Sequence, residues 1–321
     1  MRVTVLCGGP SAEREVSLRS GKCVARALEQ AGHTVFVSDV SPTDLAGLDT
    51  PADVIFPVLH GDFGESGELQ EILEARGLPF VGSGSVASRL GMDKIEAKKV
   101  WLKHGLRTPR FKICREIPTN PAELGLPVVA KAISSGSSID VHLCKTKADV
   151  REAAKQLLAR HDRFMLEEFA TGVELTIGLL DGAALPPIRI ATKNAFYDFQ
   201  AKYNTGTEAH HFDTGLPADV LKRCADLAVA ASDTLGCRDV GRVDLIVDDQ
   251  GWPTLLEINT LPGFTDVSLL PDAARQAGIA FPQLVDKLVK LAAARASYPS
   301  PSGGGRVGAG AGSVVRQASA F

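Results

Sequence analysis

The chain has 321 residues, with 35 Lys and Arg against 38 Asp and Glu, a formal net charge of −3. That balance argues against a nucleic-acid binder, which shows a basic excess or stripe. A composition of 45% hydrophobic and 23% charged residues is that of a globular protein with real cores, not of a disordered one.

Residues 3–6 read as a short buried strand that runs straight into Gly8-Gly9. No apolar signal region precedes it and no apolar run approaches the ~20 residues that span a bilayer, so a cytosolic chain with no membrane contact is expected. Residues 17–31 read as a helix, because Val24, Ala27, Leu28 and Ala31 recur at helical spacing and Gly32 stands where a closing glycine belongs. Strands follow at 34–37 and 54–59, a helix at 69–75 closed by Gly77, and a strand at 79–81. Strands alternating with helices predict a parallel sheet covered by helices. In such sheets ligands sit beyond the carboxyl ends of strands, which puts Gly8-Gly9-Pro10-Ser11 and His60-Gly61 at a site edge.

The middle segment opens at Met92-Asp93-Lys94 with a helix over 94–103. Strands are expected at 111–114, 128–132, 139–143 and 164–169, and a helix at 147–159. The last segment shows strands at 174–180, 189–191, 242–247 and 254–258, and helices at 217–235 and 281–296. The polar, aromatic stretch 192–212 reads as a loop long enough to be a lid. The fold class is α/β (α+β), with units expected at 1–93, 94–180 and 181–298. Sixteen of the 23 residues in 299–321 are Gly, Ala, Ser or Pro, so that tail is expected to be disordered.

Several motifs carry little. Gly82-Ser83-Gly84 lacks the third glycine of a dinucleotide fingerprint and does not follow the first strand. There is no phosphate loop of the G-x-x-x-x-G-K-[ST] type and no zinc spacing. His210 and His211 are adjacent on an extended stretch and point to opposite sides. The six cysteines are scattered without a C-x-x-C pair and read as buried free thiols.

The strongest local pattern is Arg242-Val243-Asp244 followed by Glu257-Ile258-Asn259. Residues i and i+2 of a strand share a face, so a hairpin through Asp248-Asp249-Gln250-Gly251 would bring Asp244, Glu257 and Asn259 together. Two carboxylates and an amide carbonyl are hard oxygen donors suited to Mg²⁺ beside phosphates. Lys131 stands in an apolar strand and needs a partner if buried. The Ser/Gly turn after it, 134–138, offers backbone N–H groups to phosphate oxygens.

With these residues together, the chain resembles the D-alanine–D-alanine ligase family, ATP-grasp enzymes of bacterial cell-wall synthesis, over residues 3–297. The resemblance is carried by 8–17, Leu59-His60-Gly61, Gly82-Ser83-Gly84, Met92-Asp93-Lys94, the Lys131 strand with Gly136-Ser137-Ser138, 196–203, Gly241 to Asp244, and Glu257 to Thr265. It implies a three-domain ATP-grasp fold with ATP between the last two domains. It implies Lys94, Lys131 and Lys202 at ATP, with Glu167, Phe169 and Ala170 bordering adenine and Glu174 on the ribose. Asp244, Glu257 and Asn259 would hold two Mg²⁺, or Mn²⁺. Glu13 would hold the ammonium of the first D-alanine and link to Ser137 and Tyr203, with His60 near that substrate. Ser268 and Leu269 would meet the second amino acid, while Arg242 and an N–H near Gly263 hold the oxyanion. Lys202 and Tyr203 would close over the site, and a homodimer is the family expectation. Two departures stand out: Ala132 and Asp140 replace the usual proline and glycine around the phosphate turn, and Val267 precedes Ser268 where some members carry histidine. An Asp at a glycine position is expected to strain the turn or repel nucleotide.

Overall fold

The computed structural model describes residues 1–134, 140–191, 209–265 and 267–296. Strands β1 (Arg2–Cys7), β2 (Thr34–Asp39) and β3 (Val54–Pro57) form a parallel sheet in the order β2-β1-β3. β1 and β3 are nearly continuous apolar runs because helices cover both faces of such a sheet. Helix α1 (Arg14–Gln30) buries Val24, Ala27 and Leu28 on it. Helices α2 (Asp62–Glu65), α3 (Glu68–Ala75) and α4 (Ser85–Met92) follow.

Helix α5 (Lys94–Lys103) leads to an antiparallel sheet of β4 (Phe111–Cys114), β5 (Val128–Lys131), β6 (Val141–Cys144) and β7 (Phe164–Glu168), in the order β4-β7-β5-β6. One face carries Val128, Ala130, Phe164 and Leu166, packed on helix α6 (Lys147–Leu158), whose start is fixed by a Thr146–Asp149 capping box. The opposite face, with Met165, packs on Ile95 of α5.

The largest sheet is also antiparallel. It holds β8 (Val173–Leu180), β9 (Ala183–Ala184), β10 (Ile188–Ala191), β11 (Ala209–His211), β12 (Val240–Val247) and β13 (Pro253–Asn259), in the order β11-β10-β8-β12-β13 with β9 on β8. Period-2 alternation puts Leu175, Ile177, Val243 and Leu245 against helix α7 (Ala218–Leu235). The other face of the same strands is polar. Helix α8 (Leu269–Gln276) packs on β8, and α9 (Phe281–Ala296) packs back on α1 and β3, where Phe56 and Phe264 meet edge to face at 5.4 Å. Asp239 closes the junction: it accepts from the Gly82 amide at 2.8 Å and pairs with Arg295, which also donates to the Phe80 carbonyl at 2.8 Å. Among the described residues, no helix is long and apolar enough to cross a membrane.

The structure departs from the sequence reading in several places. The strand expected at 79–81 is a single bridge between Ile55 and Phe80. α4 and α8 were not legible. Gly91 sits inside α4 because a Cβ there would lie 2.7 Å from Thr260 Cγ2, so close packing overrides helix propensity. The end of the expected 192–212 loop is strand β11, paired to β10, and 192–208 lie outside the described residues. β8, grouped by sequence with the middle unit, hydrogen-bonds into the large sheet along its length. The tail expectation for 299–321 lies outside the described residues.

Candidate functional site

The N-terminal side of the site is built at the carboxyl ends of β1 and β3. The Ser17 hydroxyl accepts from the Gly8 amide at 2.9 Å and donates to the Val58 carbonyl at 2.8 Å, tying the two strand ends together. Gly8 has φ +79°, and a Cβ there would fall 2.0 Å from Asp39 Oδ1, so the turn demands glycine. This turn delivers Glu13, a buried carboxylate immediately before α1, whose side chain makes no capping bond to the helix. Gly61, at φ +79°, lets the His60 loop close on Ser11.

His60 is buried, with Nδ1 3.6 Å from Glu65 Oε1, and Glu65 is itself held by the Gly61 amide at 2.8 Å. Burial pushes the imidazole down, but the Glu65 carboxylate and then Glu13 outweigh it, so its pKa is raised; the Arg242 charge opposes this. His60 therefore stands in the fields of both Glu13 and Arg242. Its Nε2 is buried with no hydrogen-bond partner among the described residues.

The polar face of the large sheet supplies the next group. β12 and β13 pair so that Arg242 lies opposite Asn259 and Asp244 opposite Glu257, with a bulge just beyond. The expected hairpin convergence is thus present. Arg242 donates to both oxygens of Asp244 at 3.1 and 2.9 Å, and Thr176 of β8 donates to Asp244 at 2.5 Å. Glu257 Oε2 lies 3.4 Å from Lys94 Nζ. Asn259 Oδ1 accepts from the Leu261 amide at 2.9 Å. Among the described residues, no group of three His, Cys, Asp or Glu side chains forms a ready metal cage. Two opposed carboxylates and an amide oxygen do fit Mg²⁺, which completes its shell with water and phosphate oxygens.

Lys94 opens α5, where Asp93 accepts from the Ile95 and Glu96 amides at 2.9 and 3.1 Å. Lys131 ends β5 and reaches Glu167 Oε2 at 2.7 Å. Both lysines are buried. The Glu167 side chain, expected to border adenine, is fully buried and lies between two lysines: Lys131 and Lys98, whose Nζ is 2.5 Å from Oε1. Burial pushes this carboxyl up, yet the two ammonium groups hold it below the usual carboxylate range. Sequence reasoning missed Lys98. Its signal was its position one turn after Lys94, on the same helix face.

Phe169 and Ala170 follow β7, half-buried, and Glu174 lies half-buried on β8 opposite Ile246. Gly263 and Ser268 are brought together: a Cβ on Gly263 would lie 3.0 Å from Ser268 Oγ, which also accepts from the Thr265 amide at 3.0 Å. Ser268 and Leu269 head α8, which sits on the polar face because Gly178, the β8 partner of Arg242, leaves room for Leu270. Val267 is exposed. Ser137, Lys202 and Tyr203 lie outside the described residues.

Asp140, expected to strain the turn or repel nucleotide, takes up a left-handed backbone conformation and finds partners inside the chain. It adopts φ +60°, a conformation Asp tolerates better than most residues, and its carboxylate pairs with Arg160 at 2.5 Å and His161 at 2.7 Å. Its charge is compensated within the central unit.

A family model described as D-ala D-ala ligase N-terminus matches residues 37–83, and one described as D-ala D-ala ligase C-terminus matches residues 97–290. The D-alanine–D-alanine ligase of Desulforudis audaxviator is 44% identical over 308 residues, covering 92% of this chain and 99% of its own. That of Gloeobacter violaceus is 41% identical over 297 residues, covering 90% and 98%. Among solved structures, the Bacillus anthracis D-alanine–D-alanine ligase complexed with ATP superposes with a TM-score of 0.82 at 31% identity, covering 92% of this chain and 98% of that one. The VanG D-Ala:D-Ser ligase of Enterococcus faecalis gives 0.80 at 25% identity, covering 91% and 99%. The fold is the ATP-grasp fold of these ligases, and the chain belongs to the D-alanine–D-alanine ligase family.

Proposed function

We infer that this chain joins two D-alanines to D-alanyl-D-alanine at the expense of ATP, through an acyl phosphate, as a step in peptidoglycan precursor synthesis. The observation that carries the reading, beside family membership, is a series of charged groups that touch or stand in one another's field. It passes from Glu13 and His60 through Arg242, Asp244 and Glu257 to Lys94. Carboxylate activation by phosphoryl transfer needs a cation-rich phosphate seat next to an amino-acid seat, and this series supplies both.

Lys94 and Lys131 bind and orient the phosphates, neutralising charge as the γ-phosphoryl group moves to the first D-alanine carboxylate. Mg²⁺ bound at Asp244, Glu257 and Asn259 supplies further charge neutralisation there. Glu13 takes the ammonium of the first D-alanine. Arg242 and an N–H near Gly263 hold the oxyanion that forms when the second amine attacks the acyl carbon. By the family resemblance, Lys202 and Tyr203 would serve to exclude water from the acyl phosphate, and Ser137 would link Tyr203 to Glu13. Ser268 and Leu269 receive the second amino acid's carboxylate. Glu167, Phe169 and Ala170 border adenine, and Glu174 meets the ribose.

The division into three units is part of this proposal, with the second boundary drawn ahead of β8 because β8 pairs with β12. A cytosolic location fits six free cysteines. A homodimer rests on the family resemblance alone. The test is a screen for ADP release with D-alanine, D-serine, D-lactate and L-alanine. D-alanine alone should give ADP and the dipeptide. ADP release only when D-serine or D-lactate is added would overturn the substrate assignment.

A further inference from the structure

Lys98 lies on α5 one turn after Lys94 and is fully buried. A buried ammonium is costly unless paired, and this one is held on two sides. Its Nζ is 2.5 Å from Glu167 Oε1 and donates to Thr108 Oγ1 at 2.5 Å; Thr108 in turn donates to the Leu255 carbonyl at 2.9 Å. Thr108 thus pins Lys98 to β13, two residues from Glu257. The other oxygen of Glu167 takes Lys131. Burial pushes the Lys98 ammonium down to about 8, while Glu167 opposes that fall and the Lys131 charge adds to it.

Two ammonium groups here share one carboxylate. When all three are charged, the cluster keeps a surplus of one positive charge. Without Lys98, Glu167 and Lys131 would form a closed, neutral pair, and Lys131 would present far less field to an incoming anion. The surplus lies at the end of β5, where Lys131 stands.

We propose that Lys98 is a positioning residue for ATP: it holds Glu167 from behind, so that Lys131 stays fixed and keeps net positive charge for the nucleotide's phosphates. This rests on the reading of Lys131 as a phosphate ligand. A purely structural Lys98 would be replaceable by an apolar side chain of similar length with an effect on stability only.

The experiment compares steady-state kinetics and melting of the wild type, Lys98→Met, Lys98→Arg and Lys131→Met. Lys98→Met should raise KM for ATP about tenfold, with KM for D-alanine changed less than about twofold. Restoring the charge in Lys98→Arg should bring KM for ATP back toward the wild-type value. An unchanged KM for ATP in Lys98→Met, or equal rises for ATP and D-alanine, overturns the proposal. An unchanged KM for ATP in Lys131→Met overturns the phosphate-ligand reading itself, and the proposal with it. A rise in Lys131→Met without one in Lys98→Met overturns the proposal alone. If Lys98→Met does not fold, Thr108→Val carries the test, since it removes the oxygen that anchors Lys98. A severalfold rise in KM for ATP alone supports the proposal, and an unchanged one overturns it.

Discussion

Arg242 grips both oxygens of Asp244, two residues along the same strand, while Glu257 stands directly opposite Asp244 on the neighbouring strand. The two carboxylates therefore have different structural duties. Asp244→Asn and Glu257→Gln should each reduce ADP release by at least about a hundredfold, because each removes a charged metal ligand. Asp244→Asn also takes away the charge that the buried Arg242 grips with two nitrogens and should lower the melting temperature by several degrees. Glu257 is about a third exposed, and Glu257→Gln should melt close to the wild type. Near-normal turnover by either variant at ordinary Mg²⁺ would show that the metal ligands lie elsewhere.

Glu13 is the N-cap residue of α1, but its side chain makes no capping bond to the helix. Glu13→Gln should accordingly leave the melting temperature nearly unchanged, raise KM for D-alanine through loss of a charge-assisted bond, and leave ATP dependence alone. Tyr203→Phe should cost less, about 0.5–1.5 kcal/mol, which is up to roughly tenfold in rate. Unchanged D-alanine kinetics in both variants would remove the first-substrate assignment.

Asp140 holds a left-handed backbone conformation and pairs with Arg160 and His161. Asp140→Gly relieves the backbone constraint but loses the partners, so its stability should fall by no more than about 1 kcal/mol. Asp140→Ala keeps the constraint and loses the partners, and should be clearly less stable than Asp140→Gly. Both should keep KM for ATP near the wild-type value. A marked gain in ATP affinity in Asp140→Gly would mean that the carboxylate does repel nucleotide.

Burial pushes the thiols of Cys144, Cys224 and Cys237 up to about 11. The folded chain keeps protons that the unfolded chain, with thiols near 9, releases. These groups therefore contribute stability that is fully present below pH 9 and lost as pH rises through 11. Lys98, lowered to about 8, acts in the opposite sense as a single group. Melting temperature should hold to pH 8.5 and fall from 9 to 11, with a shallower fall in Cys224→Ala. A flat or rising profile over that interval would contradict the assignment.

The sequence by itself determined the alternation of elements, the parallel N-terminal sheet and the facing of Asp244 on Glu257. Those features follow from local periodicity: a run of 2 or 3.6 fixes which side chains share a face before any partner is chosen. It also carried the family, because the motif order survives in the primary structure. What only the tertiary structure decided is where charge is spent. Nothing in Val128–Lys131 or Phe164–Glu168 announces that Glu167 turns inward. That follows from α5 packing across the β5–β7 face and burying Lys98, so that Glu167 serves two lysines. The inward pairing of Asp140 has the same origin, since Arg160 and His161 reach it only after α6 has returned the chain to the sheet. Periodicity reports faces within an element, whereas the partner of a buried charge depends on which elements meet, and that is settled by packing between residues far apart in the chain.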